Sequence, residues 1–167
     1  PVLATEYSKS DDGLVWTFKI REGVTFHDGT AMDANAVAYS LERSKNMNKG
    51  ASFIWDPVDT IKATDDSTVE ISLKYAAPLD LIVSCAYSAY IMNPEQADQG
   101  TDWFQAGNEC GTGPYMLQSQ VPSDEVIMTK FDTYWGGWEG KHFDKVIVKN
   151  IGENASRRQM IESGEAD

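Results

Sequence analysis

The chain has 167 residues, of which 41% are apolar, and its 26 acidic against 14 basic residues give a formal charge of -12. That apolar share can bury a real core, which argues against disorder, and the length suits one domain or one and a half. The acidity repels phosphate backbones and anionic headgroups, so nucleic acid and membrane surfaces are disfavoured partners, and the longest apolar candidate for a membrane span, Leu79 to Met92, is short and contains Asp80.

Pro1 to Glu6 show no initiator Met, signal peptide or lipoprotein Cys and read as the middle of a longer protein, with any targeting segment cut away. Leu14, Trp16, Phe18 and Ile20 then alternate with Val15, Thr17, Lys19 and Arg21 after the turn Asp11-Asp12-Gly13, which predicts a strand with one buried face. Glu22-Gly23 and Asp28-Gly29 leave Val24 to His27 as a short extended segment between two reversals. From Asp33, a suitable N-cap, the spacing of Ala34, Val37, Ala38 and Leu41 predicts a helix to about Ser44. Lys45 to Pro57 reads as loop, and it carries Phe53 and Trp55.

Val58 to Ala63 and Thr68 to Lys74 flank Thr64-Asp65-Asp66-Ser67 and predict a hairpin. Pro78 followed by Leu79, Ile82, Val83 and Ala86 predicts a helix ending near Asn93-Pro94, with a shorter helix over Glu95 to Gln99. A second hairpin is expected from Tyr115 to Val121 and Val126 to Phe131 around Pro122-Ser123-Asp124-Glu125. Val146-Ile147-Val148 is apolar on both faces, as in a strand covered on both sides, and Asn154 is placed to cap a helix from Ala155 to Glu162. Cys85 and Cys110 fit either a buried reduced pair or a disulfide. A bridge would close a loop of about 26 residues and constrain the unfolded chain by roughly 3.5 kcal/mol.

Several ordered segments resemble bacterial solute-binding protein family 5, the dipeptide-, oligopeptide- and nickel-binding components of ABC importers. The run from Asp11-Asp12-Gly13-Leu14-Val15-Trp16 to Thr25-Phe26-His27-Asp28-Gly29-Thr30 is similar to that family's opening signature almost residue for residue. Gly111-Thr112-Gly113-Pro114-Tyr115, followed by Tyr134-Trp135-Gly136, resembles a later signature, and Phe143-Asp144-Lys145-Val146 leads into Ser163-Gly164-Glu165-Ala166-Asp167 in the same order. Two features depart from the family. Asn35-Ala36-Val37 stands where the family usually has two acidic residues before Val, and the missing acid at the third helical position removes the capping-box partner and weakens helix entry by about 0.5–1 kcal/mol; the family also does not generally share the Cys85 and Cys110 pair.

The resemblance implies a mixed α/β fold of the larger periplasmic-binding-protein type, here incomplete. Residues 1–30 would belong to the first lobe's sheet, 31–110 to a small inserted α/β domain, and 111–167 to the return into the first lobe. It implies reversible capture of a peptide or similar small solute, delivery to an ABC permease, no cofactor, and a periplasmic or cell-surface lipoprotein setting. Positions near two aromatic segments face the cleft between lobes in that family, which makes Phe53, Trp55, Tyr87 and Tyr90 candidate ligand contacts; the competing reading is that they pack the small domain's own core. Trp16, Phe18, Tyr115, Tyr134 and Trp135 are expected to pack the core or the sheets.

Other chemistry finds less support in the residues. His27-Asp28 with His142 and Asp144 does not supply the three or four converging donors of a metal site, and His27 sits in a turn of the signature. Gly111-Thr112-Gly113 has no Lys-Ser/Thr after it and opens no helix, unlike a phosphate loop, and Asn154-Ala155-Ser156 reads as a helix cap before it reads as a glycosylation acceptor. Asp28 with Glu70 could be imagined as a hydrolase pair, but no GxSxG, HExxH or CxxC accompanies it. A protein that senses or displays a solute without transporting it is the alternative to an importer component, and a carboxylate-based hydrolase ranks below both.

Overall fold

The computed structural model describes residues 2–84 and 89–167. The alternating residues of Val15–Ile20 form a strand, β2, which follows an edge strand β1 (Ala4–Lys9); β3 (Val58–Asp65) and β4 (Thr68–Leu73) form the expected hairpin. The four make one antiparallel sheet in the order β1-β2-β4-β3. Trp16 lies opposite Ile71 and Phe18 opposite Val69, and because side chains alternate along a strand, that register puts the apolar set of both strands on one face. Val69 and Ile71 are each only 1% exposed.

Helix α1 (Ala34–Asn46) covers this face with Ala34, Ala36, Val37, Ser40 and Leu41, the period the sequence shows. Asp33 caps it as expected, its carboxylate accepting from the Ala36 amide at 2.8 Å. The polar stretch after α1 is not wholly irregular: Gly50–Trp55 winds into a 3-10 helix that turns Trp55 into the core. β1 escapes the periodicity argument because it is an edge strand with five of its six residues exposed, so burial imposes no alternation on it.

The largest departure from expectation lies after Pro78. Among the described residues the helix predicted toward Asn93 is represented by one turn, α2 (Leu79–Ile82), and Asn93 is extended. Tertiary bonds replace the helical ones there: the Met92 amide donates to Ser40 Oγ at 2.9 Å and the Asn93 amide to the Cys110 carbonyl at 2.9 Å. Short helices α3 (Pro94–Ala97) and α4 (Thr101–Gln105) follow, the first close to expectation, the second unforeseen.

β5 (Tyr115–Val121), β6 (Glu125–Lys130) and β7 (Lys145–Lys149) form a second antiparallel sheet in that order. β7 pairs with β6 at the sheet's edge, and Ile147 and Val148 are about half exposed; the expected cover on both faces is not supplied by the described residues. Helix α5 (Asn154–Ser163) begins with Asn154 as its first helical residue, so Glu153, not Asn154, occupies the cap position, and no side chain bonds there. Gly164 ends the helix at φ 72°, a left-handed conformation that a side chain would resist.

β2 is hydrogen-bonded to β4 along its length, so both belong to one sheet. The crossover 111–114 leads into β5 of the second sheet. No helix of the described residues is long and apolar enough to cross a membrane.

Candidate functional site, a cavity beside the crossover

Two extended segments, 89–93 and 109–113, run together and are joined by the Asn93–Cys110 backbone bond. Asn93 is 4% exposed and uses its whole amide: Nδ2 donates to Asp28 Oδ2 at 2.8 Å and to Thr30 Oγ1 at 2.9 Å, while Oδ1 accepts from the Glu95 amide at 3.0 Å and caps α3. One side chain therefore fixes the Asp28–Thr30 turn, the start of α3 and the extended segment that leads into it. Asn93→Ala removes the donor to the Asp28 carboxylate and the Thr30 hydroxyl together with a helix cap, and should cost about 1–2 kcal/mol in urea unfolding; a loss below about 0.5 kcal/mol would contradict this account.

His27 joins the same turn to the second segment. Its Nδ1 meets Glu109 Oε1 at 2.6 Å and Oε2 at 2.7 Å, its Nε2 meets the Gly113 carbonyl at 2.8 Å, and its backbone amide donates to the Gly111 carbonyl at 3.0 Å. Burial alone would push the imidazole down, but the Glu109 carboxylate and the Gly113 carbonyl outweigh it, and His27 is raised above its ordinary 6.5. Burial likewise opposes the Glu109 charge, yet bonds from His27 and the Gly111 amide hold that carboxyl below 4.5. The turn role expected for His27 is thus realised through a partner, Glu109, that lies 82 residues away and has no local marker in sequence.

Between these segments, the face of the first sheet and α1 lies an open cavity of about 980 Å³. Phe18, Ile20, Val69 and Ile71 of the sheet and Val37 and Leu41 of α1 line it, with Val83, Ala89–Met92 and 109–113 forming the opposite side. Its described lining includes the carboxylates of Asp80 and Glu109 and the hydroxyls of Tyr90 and Thr112 but no Lys, Arg or His. Such a chamber suits an apolar body carrying a neutral or cationic group and disfavours a lone anion.

The aromatic candidates part company here. Tyr90 is 60% exposed and lines the cavity. Phe53 is 69% exposed on the 3-10 helix and does not line it. Trp55 is 1% exposed, packed in the core with its indole N–H donating to Ser44 Oγ at 3.1 Å, and presents no surface to a solute. Tyr87 lies outside the described residues. So does Cys85, the other half of the disulfide alternative; Cys110 carries a buried free thiol that burial pushes up.

Among residues expected to pack, Trp16 and Phe18 are buried, while Tyr115, Tyr134 and Trp135 are half-buried. His27 and His142 are not brought together: His142 packs edge-on against Trp138 and bonds the Glu139 carbonyl. Among the described residues no group of three or more His, Cys, Asp or Glu side chains is arranged to hold a metal. Asp28 serves the Asn93 network, whereas Glu70 stands on β4 opposite Thr17.

Residues 1–167 match the family described as bacterial extracellular solute-binding proteins, family 5 middle. The chain is 33% identical over 169 residues to a probable D,D-dipeptide-binding periplasmic protein, DdpA, of Escherichia coli K12, and 34% identical over 173 residues to the glutathione-binding protein GsiB of Pectobacterium atrosepticum. Each alignment takes in 99% of this chain and 32% of the relative, so the chain spans about a third of the length of the curated relatives it matches. The periplasmic binding protein DppA of Helicobacter pylori, solved with the peptide STSA, superposes with a TM-score of 0.79 at 27% identity over 99% of this chain and 36% of that one. These relatives are binding proteins by name, and the mixed α/β architecture described above superposes on about a third of the solved one. The chain belongs to the bacterial extracellular solute-binding proteins of family 5.

Proposed function

We propose that this chain is part of the solute-binding component of an ABC importer, which captures a peptide or similar small solute outside the cytoplasm and delivers it to a membrane permease. The observation that carries the reading is the family match over the full 167 residues, together with relatives named for binding a D,D-dipeptide and glutathione. Capture without bond cleavage is the activity proposed, in a periplasmic or cell-surface lipoprotein setting. Tyr90 and the cavity wall beside it are the proposed contribution of this segment to solute contact, with Tyr87 and Phe53 as further candidates; a tyrosine gives a large contact area at low entropy cost.

Family members close two lobes around a solute, so one wall alone leaves most of the solute wet. Calorimetry on the whole protein containing this segment should show saturable binding of at least one di- or tripeptide, with glutathione and D-alanyl-D-alanine among the ligands tried, at a Kd of about 1 μM or tighter. The 167-residue segment alone should give no comparable heat. Sub-micromolar binding by the segment alone would overturn the two-walled reading, and peptide hydrolysis by the whole protein would overturn capture without chemistry.

A further inference from the structure

We infer that His27 is a pH-dependent clamp: as an imidazolium it ties the turn after β2 to the crossover that carries the chain from the first sheet into the second, and as a neutral ring it loosens that tie. The geometry requires the charge. Both ring nitrogens face oxygen acceptors, the Glu109 carboxylate on one side and the Gly113 carbonyl on the other. A neutral imidazole carries one N–H and can donate to only one of them, which leaves a lone pair opposed to an oxygen at the other. The carboxylate cannot ease this by taking a proton near neutrality, since Gly111 also donates to it at 2.9 Å.

The position of the ring makes its charge matter beyond its own turn. Glu109 and Gly113 bracket the segment whose Cys110 carbonyl holds Asn93 and whose Gly111 carbonyl holds the His27 amide. Phe131, at the end of β6, packs edge-on to the imidazole at 4.9 Å and donates its amide to the Pro114 carbonyl, so the second sheet rests on the same ring. The charged groups facing the imidazole are Glu109 from the crossover and Asp28 from its own turn, both acidic; Asn93 and Phe131 add no charge. Among the described residues the charges acting on the ring are these two carboxylates, and both favour its protonation.

The sign follows from linkage. His27 is raised in the folded protein, so its contribution is fully present below 6.5 and is lost as pH rises through the folded value. Glu109 is lowered, so its contribution is present above 4.5 and is lost as pH falls through its own folded value. The crossover is therefore held most firmly between the two and loosens on the alkaline side.

Nitrogen-15 NMR of the 167-residue chain tests this through two readouts. The His27 ring should show both nitrogens protonated at pH 6 and titrate above 6.5. Amide exchange at His27 and Asn93, corrected for intrinsic rates, should lose protection by about tenfold for each pH unit that separates the open-form and clamped midpoints. Glu109→Gln should move the ring titration downward, and His27→Gln, which keeps a donor but has no titration, should make the protection independent of pH between 6 and 8, a range set around the ordinary histidine value of about 6.5. A ring held as a single neutral tautomer at pH 6, or wild-type protection that does not change across the ring's titration, overturns the clamp. Should either variant fail to fold, the wild-type readouts decide the matter alone.

Discussion

Trp16→Ala is expected to lower the unfolding free energy by about 3–5 kcal/mol, measured by urea denaturation with the slope unchanged. Trp16 is 3% exposed at the centre of the first sheet, paired with Ile71 across β4 and with Lys9 across β1. Tyr7 and Phe18 stack on its ring at centroid distances of 5.9 Å and 6.4 Å, and the Lys9 ammonium lies 5.5 Å from the ring centre, so truncation removes aromatic packing on two strands and opens a cavity that a sheet cannot close by shifting. A cost under about 1 kcal/mol would mean that the sheet repacks and that Trp16 does not organise it. Trp16→Phe should be much milder, because the indole N–H is buried without a partner and its removal relieves a polar group that burial has left unsatisfied.

Trp55→Ala should cost a similar 3–5 kcal/mol, while Phe53→Ala, two residues earlier, should stay within about 0.5 kcal/mol of the parent. Both lie in the Gly50–Trp55 helix, whose tight winding sends Trp55 into the core at 1% exposure and leaves Phe53 at 69%. Loss of Trp55 also strips the Ser44 hydroxyl of its donor and removes the plug between the end of α1 and the start of β3. Comparable costs for the two variants would show that the helix does not hold this orientation in solution. Since Phe53 is cheap to remove, its effect on solute binding in the whole protein can be read without a stability penalty, whereas a binding loss in Trp55→Ala would report on folding.

Sequence pattern was informative where burial acts on one side of a regular element. The alternation of Trp16, Phe18 and Ile20, the i, i+3, i+4 spacing behind Asp33, and both hairpins reappear at nearly the expected residues. The end predicted for the helix after Pro78 did not, because Met92 and Asn93 bond Ser40 and Cys110 in an extended segment, and pattern cannot weigh a bond to a residue remote in the chain. β7 looked like a doubly covered strand from composition alone, yet what covers a strand is a property of its neighbours.

The candidate site shows the same divide. Its family, its mixed α/β class and the signature turn with His27 were legible in residue order, since a turn and an alternating strand are local consequences of φ/ψ preference and side-chain period. The partnership of His27 with Glu109, the use of Asn93 as a three-way tie, and the separation of Tyr90 from Trp55 were decided only when the chain folded. Local pattern specifies which face of an element is apolar; which oxygen meets which nitrogen across the fold depends on how those faces pack, and that information is held by no single stretch of the chain.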